Sequence, residues 1–301
     1  MNRAAIDLGS NSVLLTVIDS DNRVLHDEAR VVGLGQGLGD GGSFDPDRVA
    51  HTLSALADYA QTASEYGILP ENVRLGGTSA TRRARDIEAF SQRIAVETGL
   101  LLQVISGAEE ARLSWHGAIS DRAGEQLAVI DLGGGSTEVI TGTPQAITSR
   151  VSLELGSARL TERFLGLGRV ETANADTLRE FVKQTVSSQV SGTATTAIAV
   201  AGTATTLAAI DLQLPHWDSS RVHGHSLHIT ALENIANELL ALDAQGRRSL
   251  AHISPERGDF LAAGALVIQA VLEHWGLQAT TVSIRGLRFG ILDAPNWSEK
   301  P

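Results

Sequence analysis

The chain has 301 residues, enough for about two domains at roughly 150 residues each. It contains no cysteine, which excludes a disulfide framework and any thiolate metal or nucleophile site. A formal net charge of −11 argues against a nucleic-acid coat protein, and means that a polyanionic ligand has to be held by local arginines, backbone N–H groups and metal.

Hydrophobic residues make up 43% of the chain but aromatics only 4%, so Ala, Gly, Val and Leu must fill the interior, which suits close-packed α/β layers. The start, Met1 to Gly9, has no long apolar run behind a basic segment, so no signal peptide is expected. No stretch reaches 18 uninterrupted apolar residues. No membrane partner is expected, and the cytoplasm is the simplest compartment.

Residues 3–8 and 12–18 read as apolar strands around a Gly-Ser-Asn turn, with a third strand over 23–32. The Gly-rich stretch Gly33 to Gly42 is either a lid or a plain loop. Asp45-Pro46 opens a helix, with Asp45 as N-cap. A strand at 73–77, helices at 79–84 and 86–98 and a strand at 101–105 follow. Ser106 to Glu109 has a capping-box pattern that starts a helix running to about residue 118. The polar stretch 120–124 marks a boundary, giving domains 1–121 and 122–301, with the extreme C-terminus free to pack back on the first domain. The second half starts again with strands at 127–132, 136–141 and 146–153. Helices are expected at 157–164 and 174–190, a strand at 197–201, helices from 203, at 230–242 and at 259–274, and a strand at 281–284.

The most informative feature is a repeat. Ile6-Asp7-Leu8-Gly9-Ser10-Asn11-Ser12-Val13 recurs as Ile130-Asp131-Leu132-Gly133-Gly134-Gly135-Ser136-Thr137-Glu138-Val139. Each copy is a strand ending in Asp, a small flexible turn, and a second strand. Two copies at the heads of two halves point to related domains rather than a solenoid. A single such turn is an ordinary hairpin, since Gly and Asp favour turns anyway. Matching turns in both halves point to phosphate binding, because glycines let successive N–H groups face one anion. Ser10, Asn11, Ser12, Ser136 and Thr137 add short donors. Asp131 and Glu138 flank the second turn, and two carboxylates beside a phosphate site suit Mg²⁺. Asp7 is the symmetric partner, able to hold a metal or simply brace its turn. Thr78 and Arg82 lie at a strand-to-helix junction, where a helix N-terminus plus a guanidinium makes an anion site. Arg83 and Arg85 cannot both point the same way as Arg82. Gly202-Thr203 repeats the strand-turn-helix pattern and fits either a phosphate or a bland connection. His223 and His225 lack a third ligand at zinc spacing.

The paired turns resemble those of the actin, sugar-kinase and chaperone ATPase superfamily. Within it, the order of Ile6 to Ser12, Gly77-Thr78-Ser79-Ala80-Thr81-Arg82, Val104 to Leu113 and Ile130 to Glu138 is similar to the exopolyphosphatase and guanosine pentaphosphate phosphohydrolase family. Gly202-Thr203 and Val222-His223-Gly224 fit as well. The resemblance spans essentially the whole chain and implies two actin-like (ribonuclease H-like) α/β domains, each a mixed sheet flanked by helices, with a cleft between them. It implies Glu110 as the catalytic base; from the residues alone, Glu109 and Glu110 could equally be acids at the positive end of a helix. It further implies phosphate binding by Gly9, Ser10, Asn11, Ser12, Thr78, Arg82, Gly133, Gly134, Gly135, Ser136, Gly202 and Thr203. Asp131 and Glu138, with Asp7 a further candidate, are implied as ligands of Mg²⁺ or Mn²⁺. The implied substrate is polyphosphate or guanosine pentaphosphate, and the family allows a homodimer. Where the family reads Gly-Leu-Arg-Glu-Gly, this chain has Gly286-Leu287-Arg288-Phe289-Gly290, which puts any role of that acid in doubt. The chain resembles the short, two-domain form of the family.

Overall fold

The computed structural model describes every residue except 40, 121–125, 167, 296 and 298–301. The α/β chain divides into two units, Met1–Gly117 with Leu287–Pro301, and Ala118–Gly286. Apart from Ser120, the stretch read as a boundary lies outside the described residues.

The first unit contains β1 (Arg3–Leu8), β2 (Ser12–Ile18), β3 (Val24–Val31), α1 (Pro46–Glu65), β4 (Arg74–Gly77), α2 (Ser79–Arg83), α3 (Ile87–Thr98), β5 (Leu102–Val104) and all but the last two residues of α4 (Gly107–Ile119). Its sheet runs β3-β2-β1-β4-β5. Short connections make β1, β2 and β3 antiparallel, and helical crossovers make β1, β4 and β5 parallel. The side chain of Asp45 caps α1 by accepting from the N–H groups of Asp47 and Arg48. Val49, Leu53, Leu56 and Ala60 bury one stripe of that helix on the sheet. Period two along β1 sends Ala4, Ile6 and Leu8 into this core and Ala5 to the opposite face. Asp7 shares the face of Ala5.

The second unit contains β6 (Leu127–Leu132), β7 (Thr137–Thr143), β8 (Ala146–Leu153), α5 (Ser157–Leu160) with a π-helical turn over Thr161–Leu165, α6 (Thr172–Gln189), β9 (Thr196–Val200), α7 (Ala201–Asp211), α8 (Ser219–Val222), β10 (Ser226–His228), α9 (Ile229–Ala241), α10 (Ala244–Leu250), a 3₁₀ turn over Pro255–Phe260, α11 (Leu261–His274) and β11 (Ala279–Val282). The sheet order is β10-β11-β9-β6-β7-β8. α11 is buried on nearly all sides and is rich in Ala and Gly, as the scarcity of aromatics requires. A Cβ on Gly264 would lie 2.3 Å from Thr203 Cγ2, so α11 approaches α7 as closely as backbone allows. α8, β10 and α10 escape a reading based on periodicity because they are too short to show one. The helix expected from 203 starts at Ala201, and the last strand ends at Val282 rather than 284.

The final helix, α12 (Leu287–Asp293), returns to the first unit. Phe289, Ile291 and Leu292 are buried with Ala5, Ile18, Ile105 and Leu113, on the sheet face opposite α1. The expected second domain, 122–301, allows its extreme C-terminus to pack back on the first; here the residues from Leu287 group with the first unit, whose second core these apolar side chains complete. Phe289 thus fills a site where a carboxylate would be buried at a cost.

Candidate active site

The repeated turns are built alike. Leu8 faces Val13 and Leu132 faces Thr137 as the last strand pairs, and beyond them Gly9 N–H donates to Ser12 O and Gly133 N–H to Ser136 O, each at 3.0 Å. The loops are therefore Ser10-Asn11 and Gly134-Gly135. Gly134 and Gly135 are exposed. A Cβ on Gly135 would meet nothing within 4 Å, and its φ is not positive, so neither packing nor backbone demands glycine there. A bare, exposed backbone suits close approach by a ligand.

In the first unit the acids converge beneath the turn. Asp7 Oδ1 is buried with no hydrogen-bond partner among the described residues. Burial, then the charge of Glu110, push the Asp7 carboxyl up to about 7, against an opposing pull from Arg288. Glu110 accepts from Arg82 Nη1 at 2.6 Å, and the same nitrogen donates to Ile105 O at 3.0 Å. Glu109 pairs with Arg112 at 2.8 Å, and its N–H donates to Ser106 Oγ at 3.2 Å, so Ser106 caps α4. Two neighbouring glutamates on one helix thus have different partners. The strand-to-helix junction expected at Thr78 lies between β4 and α2; α2 has five residues, with Thr78 at its N-cap and Arg82 in its last turn. Thr78 is buried, and its hydroxyl donates to Leu8 O at 3.3 Å, tying the junction to the end of β1. Arg288, which sequence reasoning left without a role, pairs with Asp27, whose carboxylate also accepts from Thr16 Oγ1 at 2.7 Å.

In the second unit, Asp131 and Glu138 stand directly opposite each other on β6 and β7. Like charges in that arrangement repel. The corresponding pair in the first unit is Asp7 and Leu14, so only the second hairpin carries two carboxylates. Glu138 Oε1 accepts from Ser136 Oγ at 2.9 Å and Ser152 Oγ at 2.7 Å. No group of three or more His, Cys, Asp or Glu among the described residues gathers around one metal position. A cross-strand carboxylate pair with adjacent hydroxyls still fits Mg²⁺, which binds through one or two carboxylates and keeps its waters.

Gly202 and Thr203 lie in the first turn of α7. Ala201 precedes them with φ of 70°, a left-handed conformation that costs an alanine roughly 1–3 kcal/mol and marks functional sites in other proteins. Arg257 was not found by the sequence reading. Its guanidinium lies against Gly202, where an added Cβ would sit 2.6 Å from Cζ. The 3₁₀ turn bearing it is anchored by Asp259, which is buried and bonded to both Arg247 and Arg248. The first turn of the eleven-residue α7 has no side-chain cap, and a cation beside such a helix start suits an anion. The clue in the sequence is a charged stretch, Glu256-Arg257-Gly258-Asp259, just before the apolar run of α11. His225 bonds Asp211 at 2.6 Å, and His223 Nδ1 accepts from Ile284 N–H at 3.4 Å.

Two actin-like α/β units, each headed by an exposed glycine or serine turn over an aspartate, define a protein built to handle phosphoryl groups. The pattern of the Ppx/GppA phosphatase family matches residues 16–296, and the chain belongs to that family. It is 33% identical over 310 residues to Exopolyphosphatase 2 of Mycobacterium tuberculosis, covering 96% of each chain. It is 27% identical to the guanosine-5'-triphosphate,3'-diphosphate pyrophosphatase of Vibrio campbellii, over 96% of this chain but 58% of that one. The crystal structure of the Aquifex aeolicus Ppx/GppA family member superimposes with a TM-score of 0.85 at 29% identity, covering 100% of this chain and 99% of that one.

Proposed function

We propose that this chain is an exopolyphosphatase, removing the terminal phosphate of inorganic polyphosphate as orthophosphate. The observation that carries the reading is Glu110, held by Arg82 and close enough to Asp7 for its charge to act there, at the base of the first phosphate-type turn. Glu110 accepts a proton from water as the water oxygen attacks the terminal phosphorus, and the bridging P–O bond breaks in line. The shortened chain leaves with the bond's electron pair. In the first unit, the N–H groups of the Ser10-Asn11 loop within the Gly9 to Ser12 turn and the Arg82 guanidinium hold phosphate oxygens; in the second, the N–H groups of the Gly134-Gly135 loop within the Gly133 to Ser136 turn and the Gly202-Thr203 site with Arg257 do so. Mg²⁺ held by Asp131 and Glu138 would offset phosphate charge; Asp7, alone on its strand pair, has the weaker claim to a metal.

Guanosine pentaphosphate is the second reading, because the Vibrio campbellii relative is named for that class of substrate. Identity favours polyphosphate: the chain is 33% identical to the exopolyphosphatase relative and 27% to the guanosine relative. The test is phosphate release from polyphosphates of several lengths and from guanosine pentaphosphate, with and without Mg²⁺. Preferential release from polyphosphate is expected. Preference for guanosine pentaphosphate establishes the second reading, and no release from either overturns both.

A further inference from the structure

In each turn two successive carbonyls are occupied by N–H groups from a following segment. In the first unit, Gly35 N–H donates to Ser10 O at 2.6 Å, and the N–H groups of Val32 and Gly33 both donate to Asn11 O at 2.9 Å. In the second, Ser157 N–H donates to Gly133 O, and Ala158 and Arg159 N–H to Gly134 O, all at 3.0 Å. The two segments share no conformation: one leaves β3, the other opens α5.

Each segment uses a glycine at the closest approach. A Cβ on Gly35 would sit 2.9 Å from Ser10 Cβ, and one on Gly156 would sit 2.2 Å from Gly135 C. Neither glycine has a positive φ, so the missing side chain, not backbone freedom, is what these positions require.

A turn that receives an anion through its N–H groups has carbonyl dipoles that repel the same anion if they swing round. Donating to those carbonyls neutralises them and fixes the peptide planes. We propose that residues 32–35 form a positioning strap, which holds the Ser10-Asn11 peptides with their N–H groups toward the phosphate chain. The loop 33–42, read from sequence as a lid or a plain loop, is then a brace. Leu34 and Leu38 in it are buried, Arg83 Nη1 donates to Leu38 O at 3.2 Å, and Arg85 N–H donates to Gly42 O at 2.8 Å.

The inference rests on the phosphate-chain reading, and Gly35→Ala tests it. The control is Gly39→Ala, in the same loop, where an added Cβ meets nothing within 4 Å. Gly35→Ala is expected to weaken tripolyphosphate binding, measured by calorimetry, and to raise KM for polyphosphate roughly tenfold, with kcat changed less than about twofold. Gly39→Ala stays at the parent values. The Gly35→Ala penalty should shrink in a Ser10→Gly background, where the clashing Cβ is absent. A Gly35→Ala protein that binds and turns over like Gly39→Ala, or a penalty unchanged by Ser10→Gly, overturns the strap. If the parent binds tripolyphosphate but releases no phosphate, the hydrolase reading fails alone, and the parent-to-variant affinity ratio still decides the strap. A parent that binds no tripolyphosphate overturns both.

Discussion

Arg82 Nη1 lies 2.6 Å from Glu110 Oε2 and also donates to the carbonyl of Ile105. One guanidinium thus ties the carboxylate to the segment that follows β5, which under the proposed reading holds the base in place before substrate arrives. Glu110→Gln keeps the side chain's shape and one acceptor but cannot take a proton. Tripolyphosphate binding should stay near the parent value, while kcat falls on the order of 10²–10⁴-fold. Equal losses in binding and turnover would assign Glu110 to phosphate binding instead of base catalysis.

The Asp7 carboxyl, pushed up to about 7 by burial, makes stability depend on pH. Its folded-state value lies above the ordinary 3.8, so the folded protein keeps a proton that the unfolded chain has lost. The sign follows: the contribution is fully present below about 3.8, is lost as pH rises toward 7, and is level beyond. In metal-free buffer, the urea midpoint of the parent should fall relative to Asp7→Asn across that window. Parallel curves for the two proteins would show that Asp7 ionises normally.

Gly290 holds α12 against α4, since an added Cβ would lie 1.9 Å from Leu113 O, a backbone atom that cannot swing away. Gly290→Ala should destabilise by about 1–3 kcal/mol or more, seen as a lower urea midpoint at unchanged slope. Gly286→Ala, with nothing within 4 Å of the added Cβ, should be close to neutral. Equal midpoints for the two variants would mean that α12 shifts without penalty.

Glu138 faces Asp131 across β6 and β7 with two serine hydroxyls on its Oε1. Glu138→Gln can still accept from those hydroxyls but removes one of two like charges. The Mg²⁺ concentration for half-maximal phosphate release should rise on the order of 10–100-fold. In the presence of EDTA the variant should melt slightly above the parent, because repulsion of up to about 1 kcal/mol is relieved. An unchanged Mg²⁺ requirement would remove Glu138 from the metal site.

Local features were legible in the sequence. Period-two strands with Asp at the end and Gly or Ser in the turn located both hairpins, and Asp45-Pro46 located the start of α1. Glu110 was legible only through family resemblance, because Glu109 and Glu110 are chemically identical and their different partners, Arg112 and Arg82, depend on the fold. Non-local groups were missed. Arg288 meets Asp27 only after α12 returns to the first sheet, and Arg257 meets Gly202 only once α10 and the 3₁₀ turn are packed.

Gly202 and Arg257 give the prediction that depends most on such packing. A Cβ at Gly202 would lie 2.6 to 2.8 Å from Cζ, Nη2 and Nε of Arg257, all at the far end of a flexible side chain. Gly202→Ala should therefore cost little stability, because the guanidinium swings aside, but it should remove the cation from the first turn of α7. KM for polyphosphate should rise roughly 10–100-fold, as in Arg257→Ala, where a charge-assisted contact to phosphate of roughly 1.5–3 kcal/mol is lost. The two substitutions should not add, because both remove the same contact. Additive effects would mean that Gly202 meets the phosphate chain directly, and parent-like KM in both variants would place the substrate away from α7.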